Sequence, residues 1–236
     1  MNSELDHEMP APANSDRQEV LDPFEIRVLG VLAEKEALTP ENYPMSLNAI
    51  TNGCNQLSSR DPVMAITEQT VHDVLQGLMQ KKFVSEVTQA GARVAKYEHR
   101  MRIKWSLPPE KLTVLAQLML RGVQTAGEIR TRSSRMHEFS SVADVEACLQ
   151  FLIDKFPPLA ARLARTPGTK EPRYAHLLGS ERDSERQEIA AAFSSGLAVA
   201  APRQDRLLRL EEEIAGLRRE IERLTDQFEQ FKKQFD

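Results

Sequence analysis

Apolar residues recur at helical spacing in three successive stretches, after which the period changes to that of a strand. Asp22 followed by Pro23 forms an N-cap and first-turn pair, and Phe24, Val28, Leu29, Val31 and Leu32 predict a helix running to about Ala37. Pro40 and Pro44 interrupt the chain, and Ser46 then caps a short helix carrying Leu47, Ile50 and Cys54. A polar connection from Ser58 to Pro62 leads to Thr67, the cap of a third helix with Val71, Val74, Leu75, Leu78 and Met79 on its apolar face. Phe83, Val84 and Val87, a turn at Gln89–Ala92, and Val94, Ala95 and Tyr97 then predict a β-hairpin. Three helices followed by a hairpin is the order of a winged helix, a helix-turn-helix with an added wing.

The pattern then repeats. Val71–Leu78 resembles Val145–Leu152, Lys96-Tyr97-Glu98-His99 resembles Arg173-Tyr174-Ala175-His176, and Val31-Leu32-Ala33 resembles Val114-Leu115-Ala116. The second copy opens at Pro108-Pro109, with helices expected at about Thr125–Ser134 and Ser141–Phe156. Its wing is expected from Leu159–Arg165, a Pro167-Gly168 turn and Arg173–Leu178. A different period governs the last stretch. Leu207, Leu210, Ile214, Leu217, Ile221, Leu224, Phe228, Phe231 and Phe235 alternate spacings of three and four, the a/d seam of a coiled coil. Arg206 with Glu211 and Glu213 with Arg218 fall at the g and e positions of a parallel pair, which favours a homodimer. The competing reading folds this helix back on its own chain.

The expected fold class is therefore mainly α with small β-hairpins (α+β): two tandem winged-helix domains followed by a C-terminal coiled coil. The expected boundaries are an acidic, disordered tail over 1–21, winged helices over 22–106 and 107–180, a linker over 181–203, and the coil over 204–236.

Composition changes this picture only modestly. The net charge of −4 is uneven, with both ends acidic and residues 22–180 carrying +3, which permits a polyanionic partner without requiring one. No long apolar run predicts a membrane span, and the opening residues have neither signal-peptide nor transit-peptide character, so a cytoplasmic protein is expected. Cys54 and Cys148 lie in apolar-periodic stretches without ligand spacing and are expected to be buried thiols. Five scattered histidines, with no metal spacing, nucleophile motif or phosphate loop, predict neither an enzyme nor a cofactor. Trp105, where the first wing exits, is expected to pack the domain junction.

Asn52-Gly53-Cys54-Asn55-Gln56 with Ser59-Arg60-Asp61-Pro62-Val63, then Leu120-Arg121-Gly122, Gly127–Arg132 and Arg173–Leu178, resemble the YceH family of bacterial proteins over about residues 22–180. The resemblance implies a tandem winged-helix fold and a bacterial cytoplasmic protein, and assigns no activity.

Two functions remain open from the residues. The third helices make poor major-groove readers, because Glu68, Asp73, Asp144, Glu146 and Asp154 would repel phosphates. Basic residues gather instead on the wings and on the second helix of the second copy. The double-stranded DNA candidates are Arg93, Lys96, Arg100, Arg130, Arg132, Arg135, Arg165 and Arg173. The alternative is a protein-interaction adaptor, for which Asn52, Asn55, Arg60 and Asp61 would form a polar cluster at the tip of the first domain. Plain loop architecture accounts for those four equally well.

Overall fold

A computed structural model describes residues 19–88, 94–163 and 171–180. The expected linker and coiled coil, most of the N-terminal tail, and Arg93 and Arg165 lie outside the described residues.

Five of the predicted helices begin at a side chain that satisfies orphan backbone N–H groups, while the helix opening at Pro108-Pro109 starts on prolines without one. Asp22 accepts from the amides of Phe24 and Glu25, and Glu25 accepts from the amide of Asp22 in return, opening α1 (Pro23–Leu38). Ser46 caps α2 (Leu47–Cys54) and Thr67 caps α3 (Glu68–Gln80). The hairpin follows as β2 (Val84–Val87) and β3 (Lys96–His99). Ahead of α2, the extended residues Met45–Ser46 form a two-residue strand, β1, and pair with β3, giving an antiparallel sheet of order β1-β3-β2.

A short helix, α4 (Met101–Lys104), connects to the second half, where the same order returns. It comprises α5 (Pro109–Arg121), β4 (Gln124–Thr125), α6 (Ala126–Ser133), α7 (Val142–Ile153), β5 (Ala160–Arg162) and β6 (Arg173–His176), with sheet order β4-β6-β5. Reciprocal capping boxes, Thr125 with Glu128 and Ser141 with Asp144, start α6 and α7. Gly122 stops α5 at φ 67° and ψ −143°, a backbone region open essentially only to glycine.

The described part is thus α+β, seven α-helices and two small antiparallel sheets arranged as a twofold repeat. The halves share one apolar core, because α1 packs against α2 and α3 on one side and α5 on the other. Residues 25–34 of α1 are buried all round, and so are residues 112–120 of α5. Their crossing is close: a Cβ on Gly30 would stand 2.9 Å from Leu120 Cδ2 and 3.3 Å from Met119 Cβ.

Three details differ from expectation. Leu21 is fully buried and its amide donates to the Leu178 carbonyl at 2.8 Å, so order begins before residue 22. The last helix of the repeat ends at Ile153 rather than Phe156, because Phe156 precedes a proline that disfavours helical geometry. Trp105 packs edge-on against Phe83 with ring centroids 5.0 Å apart, within the first half rather than across the junction. Among the described residues no helix is long and apolar enough to cross a membrane.

Candidate functional site

The exposed face of α3 presents Glu68, Gln69, Asp73 and Gln76, with Gln69 donating to Asp73 at 2.9 Å. That of α7 presents Asp144, Glu146, Gln150 and Asp154, with Gln150 donating to Asp154 at 2.7 Å. Neither helix carries a lysine or arginine. The two helices that would enter a groove are therefore acidic surfaces.

The basic candidates separate into groups with different duties. Lys96 is half-buried on the central strand β3, in register with Ser46 and Val87. Arg100 is exposed and lies 3.8 Å from Glu98. Arg130 donates to the carbonyls of Phe139 and Ser140, both at 3.1 Å, and so closes the turn before α7. Arg132 donates to Gln124 Oε1 at 2.9 Å and stands 3.6 Å from Glu128 Oε1. Arg173 stands 3.6 Å from the other oxygen of the same carboxylate. One carboxylate thus brings together two guanidiniums from α6 and β6, and the exposed Arg135 follows α6 with no hydrogen bond or ion pair to a described residue. This strip is the one place among the described residues where several sequence candidates converge.

The family motif around residues 52–63 does a different job. Arg60 lies in the interior at 5% exposure and holds Glu34 in a two-pronged pair, with N–O distances of 3.0 and 2.6 Å. It also donates to the carbonyls of Gly53 and Ser59 and to Gln56 Oε1. Asn55 binds both the amide and the carbonyl of Ile66, at 2.7 and 2.8 Å, which pins the loop to the start of α3. The Asp61 amide donates to the Leu120 carbonyl at 2.8 Å, joining the loop to the second half. Asn52 remains exposed and reaches Asn48 at 3.0 Å. The four residues are spread from surface to core rather than gathered at a tip.

Two residues that sequence reasoning passed over complete this region. Arg27, 1% exposed, donates to the carbonyls of Cys54 and Pro62 at 3.1 and 2.6 Å. Burial first, and the charge of Arg60 next, disfavour its guanidinium charge. Arg121, at the end of α5, donates to the Ser59 hydroxyl across the junction. Its presence in Leu120-Arg121-Gly122 was the available signal. Both cysteines are free and buried, and burial pushes the Cys54 thiol up to about 12. Among the described residues no three His, Cys, Asp or Glu side chains cluster as metal ligands would.

Residues 21–169 match the family described as "Protein of unknown function, DUF480". A UPF0502 protein of Janthinobacterium sp. (strain Marseille) is 61% identical over 236 residues, covering all of both chains. That of Herminiimonas arsenicoxydans is 58% identical over 238 residues, again covering all of both. That of Azoarcus sp. (strain BH72) is 52% identical over 225 residues, 95% of this chain and 98% of the relative.

Proposed function

The chain belongs to the DUF480 family, and from its geometry we propose a non-enzymatic, cytoplasmic tandem winged-helix protein, without a cofactor, that contacts double-stranded DNA through its second half. The contact runs along α6 and the β5–β6 wing, and residues 204–236 pair two copies as a coiled coil. The observation that carries this reading is Glu128 holding Arg132 and Arg173 within 3.6 Å, next to Arg135, which has no ion pair among the described residues. Three cations against Glu128 and the neighbouring Glu171 leave a net positive strip suited to phosphates. Phosphate contact without base contact predicts low sequence specificity.

The test is binding of the full-length protein to a random duplex across a salt series, beside Arg132→Ala, Arg135→Ala and Arg173→Ala combined. Each lost phosphate contact should flatten the slope of log affinity against log salt by about 0.9. An unchanged slope in the triple variant would sink the assignment. Arg130 is left intact because it fastens a turn. Truncation after residue 203 should halve the mass in solution, and an unchanged mass would discard the coiled-coil dimer.

The acidic faces of α3 and α7 favour the second reading, an adaptor that grips a protein partner. Phe156, 84% exposed just after α7, would anchor such a contact. The readings part on salt, since an apolar interface hardly weakens as salt rises.

A further inference from the structure

Between the halves, where the loop after α2 faces α6, the chain leaves an open cleft of about 380 Å³. That volume lies in the range of small-molecule sites, and its concavity does not suit a duplex backbone. Lys35 of α1, Arg121 of α5, and Arg132 and Arg135 of α6 and its exit all line it. Glu34 is the one carboxylate of the lining, and it is already engaged by Arg60 at 2.6 Å and Lys35 at 3.3 Å. Lys35 is spent on Glu34 and Arg132 is shared with Glu128, so Arg121 and Arg135 line the cleft with no carboxylate partner among the described residues.

The cations of this wall disfavour one another. Burial, followed by the charges of Arg132 and Arg60, shifts the Arg121 guanidinium down, with Glu34 offsetting only part. Gln117 on the same wall has an equally unspent amide. It is 3% exposed, its Oε1 has no donor, and its Nε2 meets only the Met136 thioether at 3.3 Å. Rotating its terminal torsion toward the cleft sacrifices that one weak contact.

We propose that this cleft binds a phosphate-bearing small molecule, its phosphate held by Arg121, Arg132 and Arg135 and a hydroxyl or amino group of the ligand donated to Gln117. A phosphate monoester fits better than a carboxylate. It carries nearly two charges and three acceptor oxygens, enough for guanidiniums from α5 and α6 together, whereas a carboxylate offers one charge and two oxygens. Sugar phosphates and mononucleotides share this chemistry. The site does not rest on DNA binding, because Arg121 and Gln117 belong to the cleft alone.

Isothermal titration of the full-length chain at low salt tests it, with ribose 5-phosphate, AMP, inorganic phosphate and adenosine as probes. Ribose 5-phosphate or AMP should saturate at a Kd below about 1 mM, and adenosine should not bind. AMP alone saturating assigns a mononucleotide; both saturating assigns a sugar phosphate. Arg135→Glu, at an exposed side chain without described partners, leaves the fold intact and should weaken binding roughly tenfold or more. Gln117→Leu should weaken the esters while leaving inorganic phosphate unchanged. The proposal is overturned if neither ester saturates by about 10 mM, if adenosine binds as well as AMP, or if Arg135→Glu binds like the parent. A chain that takes ribose 5-phosphate but no duplex keeps this site and loses the DNA reading, and the converse result separates them the other way.

Discussion

Replacing Glu34 by alanine should destabilise the first half by about 3 kcal/mol, the lower end of the range for removing one partner of a buried ion pair. The Arg60 side chain is fully buried and Glu34 is 8% exposed, so among the described residues the carboxylate is the guanidinium's only charged partner, in a dry setting. The lower end applies because three acceptors remain, the carbonyls of Gly53 and Ser59 and Gln56 Oε1. Burial alone would raise the Glu34 pKa, but the hydrogen bonds and charge of Arg60, with Lys35, outweigh it and hold the carboxyl below the usual range. A depressed folded pKa contributes stability that is complete above the unfolded value, about 4.3, and lost as pH falls through the folded one. The gap between the parent and Glu34→Ala should therefore be full at pH 7 and shrink in acid below that value. Trp105, the only tryptophan, packs on Phe83 and reports urea unfolding of this half. Glu34→Ala with Arg60→Met should recover part of the loss, because the buried charge is gone while the Gly53 and Ser59 carbonyls lose their donor. A loss under about 1 kcal/mol, a gap indifferent to acid, or a double variant no better than the single would refute the argument.

Gly30→Ala gains about 1 kcal/mol in helix propensity but drives a methyl into Leu120, itself 1% exposed, at an overpacking cost of about 1–3 kcal/mol. A lower melting temperature is expected, and a higher one would contradict the close crossing of α1 and α5. Cys54, with its thiol raised to about 12 by burial, should resist iodoacetamide at pH 8 until the chain is unfolded. Rapid labelling of the native protein would count against that burial. Arg130→Ala should cost about 1–2 kcal/mol through the Phe139 and Ser140 carbonyls yet leave the salt slope of DNA binding unchanged. A slope flattened as strongly as by Arg132→Ala would instead return Arg130 to the contact surface.

The helices were legible because their starts are written in single side chains: Asp22, Ser46, Thr67 and Ser141 each sit one residue before the first helical turn. The strands β1 and β4 were not, since two residues carry no period and their pairing is with strands some fifty residues away. The interior position of Arg60 was hidden for a related reason. A helix with one apolar face turns its charges to water, but α1 is enclosed by α5 and by α2 and α3 together, so Glu25, Arg27 and Glu34 lie inside. Glu25 is met by Lys81 at 2.7 Å, Arg27 by two carbonyls and Glu34 by Arg60. Those partners come from other elements, and periodicity along one helix does not contain them. The cleft was invisible for the same cause, its walls being assembled from α1, the loop after α2, α5 and α6.

The repeat itself sets the two halves apart, since only the second gathers guanidiniums about a carboxylate on its short helix. Aligning the caps Ser46 and Thr125 places Ile50 on Ile129 and Cys54 on Ser133, all fully buried, so the two short helices dock alike. On the same alignment Ala49, Thr51 and Gly53 stand where α6 has Glu128, Arg130 and Arg132. Lys96 matches Arg173 at the entry of the central strand, yet the first half has no carboxylate at the Glu128 position to gather it with a second cation. Nor would transplanting the charge succeed. A Cβ on Gly53 would lie 2.6 Å from Val31 Cγ1, a branched and fully buried side chain with little rotamer freedom. Gly53→Arg should therefore destabilise the first half without creating an anion site, measurable as early loss of Trp105 packing in urea with no gain in duplex affinity. A stable Gly53→Arg protein with a steeper salt slope would show that the halves are interchangeable and that the asymmetry of charge is incidental.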